Sequence, residues 1–317
     1  MMKKITKRYC VAGHYFSLTL PDSQSLWDRL GQYAPFAADS ESGTSVDFET
    51  ALKSEPGTSH KTDTAKDLFV FEWVDELPVT ERTTVLKSEP QEGFTSIDLF
   101  RSGTDWLFEF TLPSDKKAEM LASDDFSCAR FCTCTTNDPS AVPLLNYSLM
   151  MLYAFASCPF GTLEIHASVV RNDGRAYLFL GKSGTGKSTH SRQWLENIPG
   201  TELMNDDNPV IRVLEDGTVM AYGSPWSGKT PCFKNVEAPV GAFVKIRQSK
   251  DNKATAMNLL EAYATIYSSS SGLKGETRFA DHIHPTFEKI VTGVPFFYMD
   301  CRPDREAAEI CHEAVCR

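Results

Sequence analysis

The chain has 317 residues with 32 Lys and Arg against 42 Asp and Glu, and its formal net charge of −10 argues against general nucleic-acid or membrane-surface binding while leaving room for a local basic pocket. Hydrophobic content of 41% and charged content of 23% are ordinary for a globular chain, and the length suits two domains. Nine cysteines, an odd number without framework spacing, fit a reducing compartment. No apolar run reaches the ~18 residues that span a bilayer, so a cytoplasmic protein is expected.

In chain order, residues 1–142 read as a β-rich domain. Arg8 to Leu20 is rich in β-branched and aromatic residues, and Asp22 to Tyr33 has the pattern of a short capped helix. Residues 37–66 turn to Ser, Thr, Asp, Glu and Gly, the composition of a long loop. Strands are expected at Asp67–Trp73, Thr83–Leu86, Thr95–Phe100 and Trp106–Leu112, the last two joined as a hairpin and the whole antiparallel. Cys128, Cys132 and Cys134 alternate along one strand face and lack a CxxC pair, so they read as structural. His14 and His60 are isolated histidines and read the same way.

A polar connector, Thr136 to Pro143, marks the boundary to a domain spanning 143–317. Leu144 to Cys158 is an apolar segment long enough for a buried helix, too short for a membrane, and expected to dock on the sheet that follows. Thr162–Val170, carrying His166, reads as a strand, and Asn172-Asp173-Gly174 turns it into an antiparallel neighbour, Tyr177–Leu180. Gly181, Ser183, Gly184, Thr185, Gly186, Lys187, Ser188 and Thr189 then form a glycine-rich loop between that strand and a helix. This is phosphate-binding loop spacing, in which backbone N–H groups cradle phosphates, Lys187 reaches the β/γ oxygens and Ser188 binds Mg²⁺. Asp206 and Asp207 sit between Leu203-Met204 and Pro209, where two adjacent carboxylates would be costly to desolvate without a cation. Like charges so close push their pKa values apart, which suits one as metal ligand and the other as base. Ser224 to Pro231 is a second Gly/Ser/Pro loop carrying Lys229, and Ser268 to Gly275 reads as a flexible linker or lid. His282 and His284 form an HxH pair without a third ligand at matching spacing and read as helix-end polar residues. Strands at Pro239–Arg247 and Val294–Asp300 and helices at Asn258–Tyr267 and Pro303–Val315 complete the chain.

Together, His166, the loop from Gly181 to Ser188 and the pair Asp206-Asp207 resemble the C-terminal catalytic domain of HPr kinase/phosphorylase, a family related in fold to ATP-dependent phosphoenolpyruvate carboxykinase. The resemblance covers about residues 160–250 and implies an α/β nucleotide-binding domain with a mixed sheet, ATP and Mg²⁺ as cofactors, and phosphoryl transfer to a hydroxyl of a peptide, protein or small molecule. It also implies that Lys229 and His166 line the acceptor side and that one aspartate is base while its neighbour, taken as Asp207, joins Ser188 on the metal. Thr189 departs from the glutamate of HPr kinases and is closer to the carboxykinase pattern. A nucleotide-dependent binding module and a carboxykinase-like enzyme are the competing readings, and a homo-oligomer is compatible with all three.

Overall fold

The computed structural model describes residues 3–38, 66–89, 93–133, 136–228, 230–272 and 276–316, so His60, Cys134 and Lys229 lie outside the described residues. The chain divides into two compact units, Met1–Ala156 and Ser157–Arg317.

In the first unit, β1 (Lys4–Val11) and β2 (His14–Pro21) form a hairpin through Ala12 and Gly13, both at positive φ. A short helix, α1 (Gln24–Asp28), opens on Ser23, whose side chain accepts from the Leu26 N–H. The strands β3 (Phe69–Trp73), β4 (Thr83–Leu86), β5 (Ser96–Ser102), β6 (Asp105–Thr111), β7 (Lys117–Ala122) and β8 (Cys128–Thr133) complete one sheet in the order β1-β2-β3-β8-β7-β6-β5-β4. The sheet is mixed, not antiparallel as expected, because β3 pairs parallel with both β2 and β8. A strand entered through a long connection is free of the antiparallel constraint a hairpin imposes.

The apolar segment forms α2 (Ala141–Ser157), and it packs on this first sheet. Tyr153 donates its hydroxyl to the Val11 carbonyl at 3.0 Å, and the Phe155 ring stacks on Phe126 at 5.1 Å and tilts against Phe108 at 5.6 Å. The expected docking on the later sheet is therefore overturned: the aromatic stripe finds its complementary aromatics in the first unit, where each large side chain buried contributes roughly 1.5–3 kcal/mol. Counting a following 3-10 turn, Ala141–Phe160 is long and apolar enough to cross a membrane, contrary to the sequence reading, but 67% of its most apolar window is buried inside the protein.

The second unit opens with β9 (Thr162–Glu164), β10 (Ala167–Asn172) and β11 (Arg175–Leu180), the last two joined by Asp173 (φ 46) and Gly174 (φ 73) as a tight hairpin. Then come α3 (Lys187–Asn197), β12 (Glu202–Asp207), β13 (Val210–Val213), β14 (Val219–Tyr222), β15 (Glu237–Gln248), β16 (Lys253–Ala256), α4 (Leu259–Ser269), α5 (Thr277–Gly293), β17 (Phe296–Cys301) and α6 (Arg305–Val315). The long β15 belongs to two layers. Its first residues pair with β14, which continues to β13 and β9, all antiparallel. Its later residues lie parallel between β11 and β17, in the order β12-β10-β11-β15-β17-β16. One face of this mixed sheet is closed by α3 and α6, whose Trp194, Ile198, Ala307, Ala308 and Cys311 pack with Val170, Phe179, Val244 and Met299. A cap on α6, with Asp304 accepting from the Ala307 N–H at 3.0 Å, fixes where that helix starts.

Candidate active site

Three chain segments meet at one edge of the mixed sheet because β10 runs antiparallel to both of its neighbours. Ala167, at the start of β10, lies opposite Leu180 at the end of β11 and opposite Asp207 at the end of β12. His166, the Gly181–Gly186 loop and the Asp206-Asp207 pair are thereby gathered from residues up to 41 positions apart.

The loop leaves β11 at Gly181 (φ 151), where a side chain would meet the Thr185 hydroxyl at 2.5 Å, and enters α3 through Gly186 (φ 105) as N-cap. Thr185 folds back on the loop, its hydroxyl donating to the Lys182 carbonyl at 2.8 Å. No side chain caps α3 and no acid occupies its first turn, so its leading N–H groups and partial positive charge are left for an anion. Lys187 is buried and arches over the loop: its ammonium donates to the Gly181 carbonyl at 3.0 Å and lies 3.1 Å from His166 Nε2. Burial lowers its pKa from the ordinary lysine value, with the Asp207 and Asp206 charges opposing. His190, one turn along, is also buried and is pushed down to about 4, which keeps it neutral so that its Nε2 accepts from Trp194 Nε1 at 3.2 Å.

His166 was expected on a strand and instead occupies the break between β9 and β10. The chain leaves the layer where β9 pairs with β13 and enters the one where β10 pairs with β11 and β12, and no single strand can serve both. The His166 N–H donates to the Ser269 carbonyl at 2.8 Å and Ser271 N–H to the Glu164 carbonyl at 2.9 Å. The first part of the expected linker or lid is therefore an edge segment docked on this break, while 273–275 lie outside the described residues. His166 Nε2 stands 3.2 Å from Asp207 Oδ1 as well as 3.1 Å from the Lys187 ammonium. One ring nitrogen cannot satisfy both at once: carrying a hydrogen it donates to Asp207, and without one it accepts from Lys187.

The carboxylates divide between two neighbours. Asp206, buried, accepts from the Ser188 hydroxyl at 2.9 Å. Asp207, more exposed, faces His166 through Oδ1 and accepts from Asn208 Nδ2 through Oδ2 at 2.9 Å. The resemblance leaves open which aspartate joins Ser188 on a metal and takes Asp207; the Ser188 hydroxyl bonds to Asp206. Ser188 and Asp206 offer the hard oxygens that Mg²⁺ takes alongside phosphate oxygens, so these residues fit the ion. Among the described residues no group of three or more His, Cys, Asp and Glu side chains is arranged to hold a metal unaided. The HxH pair lies inside α5 rather than at its end, and residues two apart diverge around a helix; His284 instead stacks between Tyr263 and Tyr267.

Two features escaped the sequence reading. Glu164, on β9, is wholly buried, and among the described residues its carboxyl oxygens complete no hydrogen bond of normal geometry, although Ser271 lies near. Burial holds its proton well above the usual carboxylate range, and the Asp207 charge adds to the effect. The second is a cavity of about 470 Å³ beside the loop, lined by Gly184, Thr185, Thr189, Ile246, Gln248 and Arg302 among others. The Arg302 guanidinium at its wall is anchored through its edges by Asp304 at 2.7 Å, Glu306 at 2.8 Å and the Lys250 carbonyl at 3.2 Å.

No family model matches the chain, and no curated protein does. Among solved structures it is similar to the HPr(Ser) kinase/phosphatase from Coxiella burnetii, with 12% identity and a TM-score of 0.29, covering 48% of this chain and 88% of that one. That likeness is too loose to assign a family, and the chemistry rests on the arrangement of these residues.

Proposed function

We propose that the second unit is an ATP- and Mg²⁺-dependent phosphotransferase acting on a hydroxyl acceptor. The observation that carries this reading is the division of the carboxylate pair, Asp206 on the Ser188 hydroxyl and Asp207 beside His166 and Lys187, at the mouth of a strand–loop–helix turn with an uncapped helix start. The loop amides and Lys187 would hold the phosphates, and the cavity beyond Thr189 would take the nucleoside, with the flat face of Arg302 available to stack on the base. This puts the γ-phosphoryl end toward His166 and Asp207. Mg²⁺, held by Ser188 and Asp206, would neutralise charge on the β- and γ-phosphate oxygens.

In this reading Asp207 accepts the proton of the acceptor hydroxyl as its oxygen bonds to the γ-phosphorus, and the bond to the β-phosphate oxygen breaks with its electron pair leaving on ADP. Lys187 stabilises the charge that shifts onto the bridging oxygen, and His166 orients Asp207. Lys229 lies outside the described residues and stays a candidate for the acceptor side on its place in the sequence alone. Calorimetry of Lys187→Ala tests the assignment: ATP–Mg²⁺ affinity is expected to fall by at least about tenfold, since one charge-assisted contact contributes on the order of 1.5–3 kcal/mol. Unchanged affinity would remove the nucleotide from this loop.

A further inference from the structure

Behind the carboxylates lies a closed polar network. Asn205, fully buried on β12 immediately before the pair, donates through Nδ2 to the Ser224 hydroxyl and to the Trp226 carbonyl, both at 3.2 Å, and accepts through Oδ1 from the Asn208 N–H at 3.0 Å. Ser224, equally buried, accepts from the Trp226 N–H at 3.2 Å and has the Asn208 carbonyl at 2.6 Å to receive its one hydrogen. The Asn205 amide is thereby fully used, tying the Ser224–Gly228 loop to the chain on both sides of the aspartates.

Past this anchor the loop lies directly on the pair. Ser227 forms a β-bridge with Asp207, and the Gly228 N–H donates to the Asp206 carbonyl at 2.7 Å. A methyl group on Gly228 would sit 3.1 Å from the Asp206 carbonyl oxygen and from Asp207 Cβ, and 3.2 Å from Asp207 Cγ. Gly228 is not among the glycines at positive φ, so its backbone tolerates alanine; what the glycine provides is clearance for Asp207.

Building on the phosphotransferase reading, we propose that Asn205 and Gly228 are positioning residues: Asn205 clamps the Ser224–Gly228 loop onto the end of β12, and the bare Gly228 backbone sets where Asp206 and Asp207 point. The loop and the carboxylates then form one wall of the site, which keeps Asp206 in reach of the cation at Ser188.

The test is calorimetric affinity of the full chain for ATP with and without Mg²⁺, alongside thermal unfolding. Gly228→Ala is expected to keep metal-free ATP affinity within about twofold while cutting the Mg²⁺-linked gain by about tenfold or more, the usual effect of disturbing groups that orient metal ligands. Ser224→Ala, which leaves Gly228 intact and loosens the loop from its other end, is expected to show the same split and covers the case in which Gly228→Ala does not fold. Retention of the full Mg²⁺-linked gain in the folded variants, or equal loss with and without metal, overturns the proposal. Absence of Mg²⁺-linked ATP binding in the wild type would instead bring down the phosphotransferase reading, and the clamp with it.

Discussion

Glu164 is the side chain that works against the fold. A carboxyl group sealed from water, with no hydrogen bond completed among the described residues, is retained at a cost in stability, and its position two residues before His166 ties that cost to the candidate site. The pH dependence has a definite sign. Below the ordinary glutamate value of about 4.5 the group is protonated in both the folded and the unfolded chain, and the folded state bears no ionisation penalty. Above it the unfolded chain releases the proton while the folded chain keeps it, so stability falls by up to about 1.4 kcal/mol per pH unit until the raised folded value is passed. Glu164→Gln removes that slope. Thermal unfolding is expected to show the variant gaining on the wild type as pH rises above about 4.5, with little difference near pH 4; a difference that does not change with pH would show that Glu164 is ionised in the folded state. Glycine spacing and acidic adjacency made the loop and Asp206-Asp207 legible in the sequence. Glu164 was hidden, since an acid within Thr162-Leu163-Glu164-Ile165 reads as the outward residue of an alternating strand.

At the scale of elements, what could be read was what is local. The turn at Asn172–Gly174, the strand–loop–helix order around Gly181 and the start of α6 at Asp304 all follow from residues within a few positions of one another. Elements that depend on a distant partner do not stand out in the sequence. β12 has only Leu203 and Met204 as apolar residues, and its strand character comes from pairing with β10 across a bulge. The break at His166 exists because two layers compete for one stretch of chain, which periodicity cannot register. The cavity beside the loop escaped for the same reason: its walls come from residues 184–190, 246–249 and 301–303, three segments with no common motif. The Ser224–Gly228 loop carried a legible composition, but its link to the carboxylates runs through Asn205, whose side chain carries no signal of its own.

For the whole molecule, the two compact units divide between Ala156 and Ser157, at the last residue of α2, where the sequence places the boundary at 142/143. A fragment beginning at 143 would strip the aromatic face of α2 from Phe108 and Phe126 and leave it without its partners. The fragment 157–317 is therefore expected to fold and bind ATP, and 143–317 to be the less soluble of the two; an unfolded 157–317 would mean that the first unit completes the core of the second. How the second unit divides its two carboxylates is tested by ATP affinity with and without Mg²⁺ together with phosphoryl transfer, or slow ATP hydrolysis, for Asp206→Asn and Asp207→Asn separately. Asp206→Asn is expected to weaken Mg²⁺-dependent binding, because Asp206 is the partner of Ser188. Asp207→Asn is expected to leave affinity within a few-fold and to lower turnover by roughly 10²–10⁴, the usual share of general acid–base catalysis. Reversed effects, or two variants that both behave as the wild type, would contradict the account.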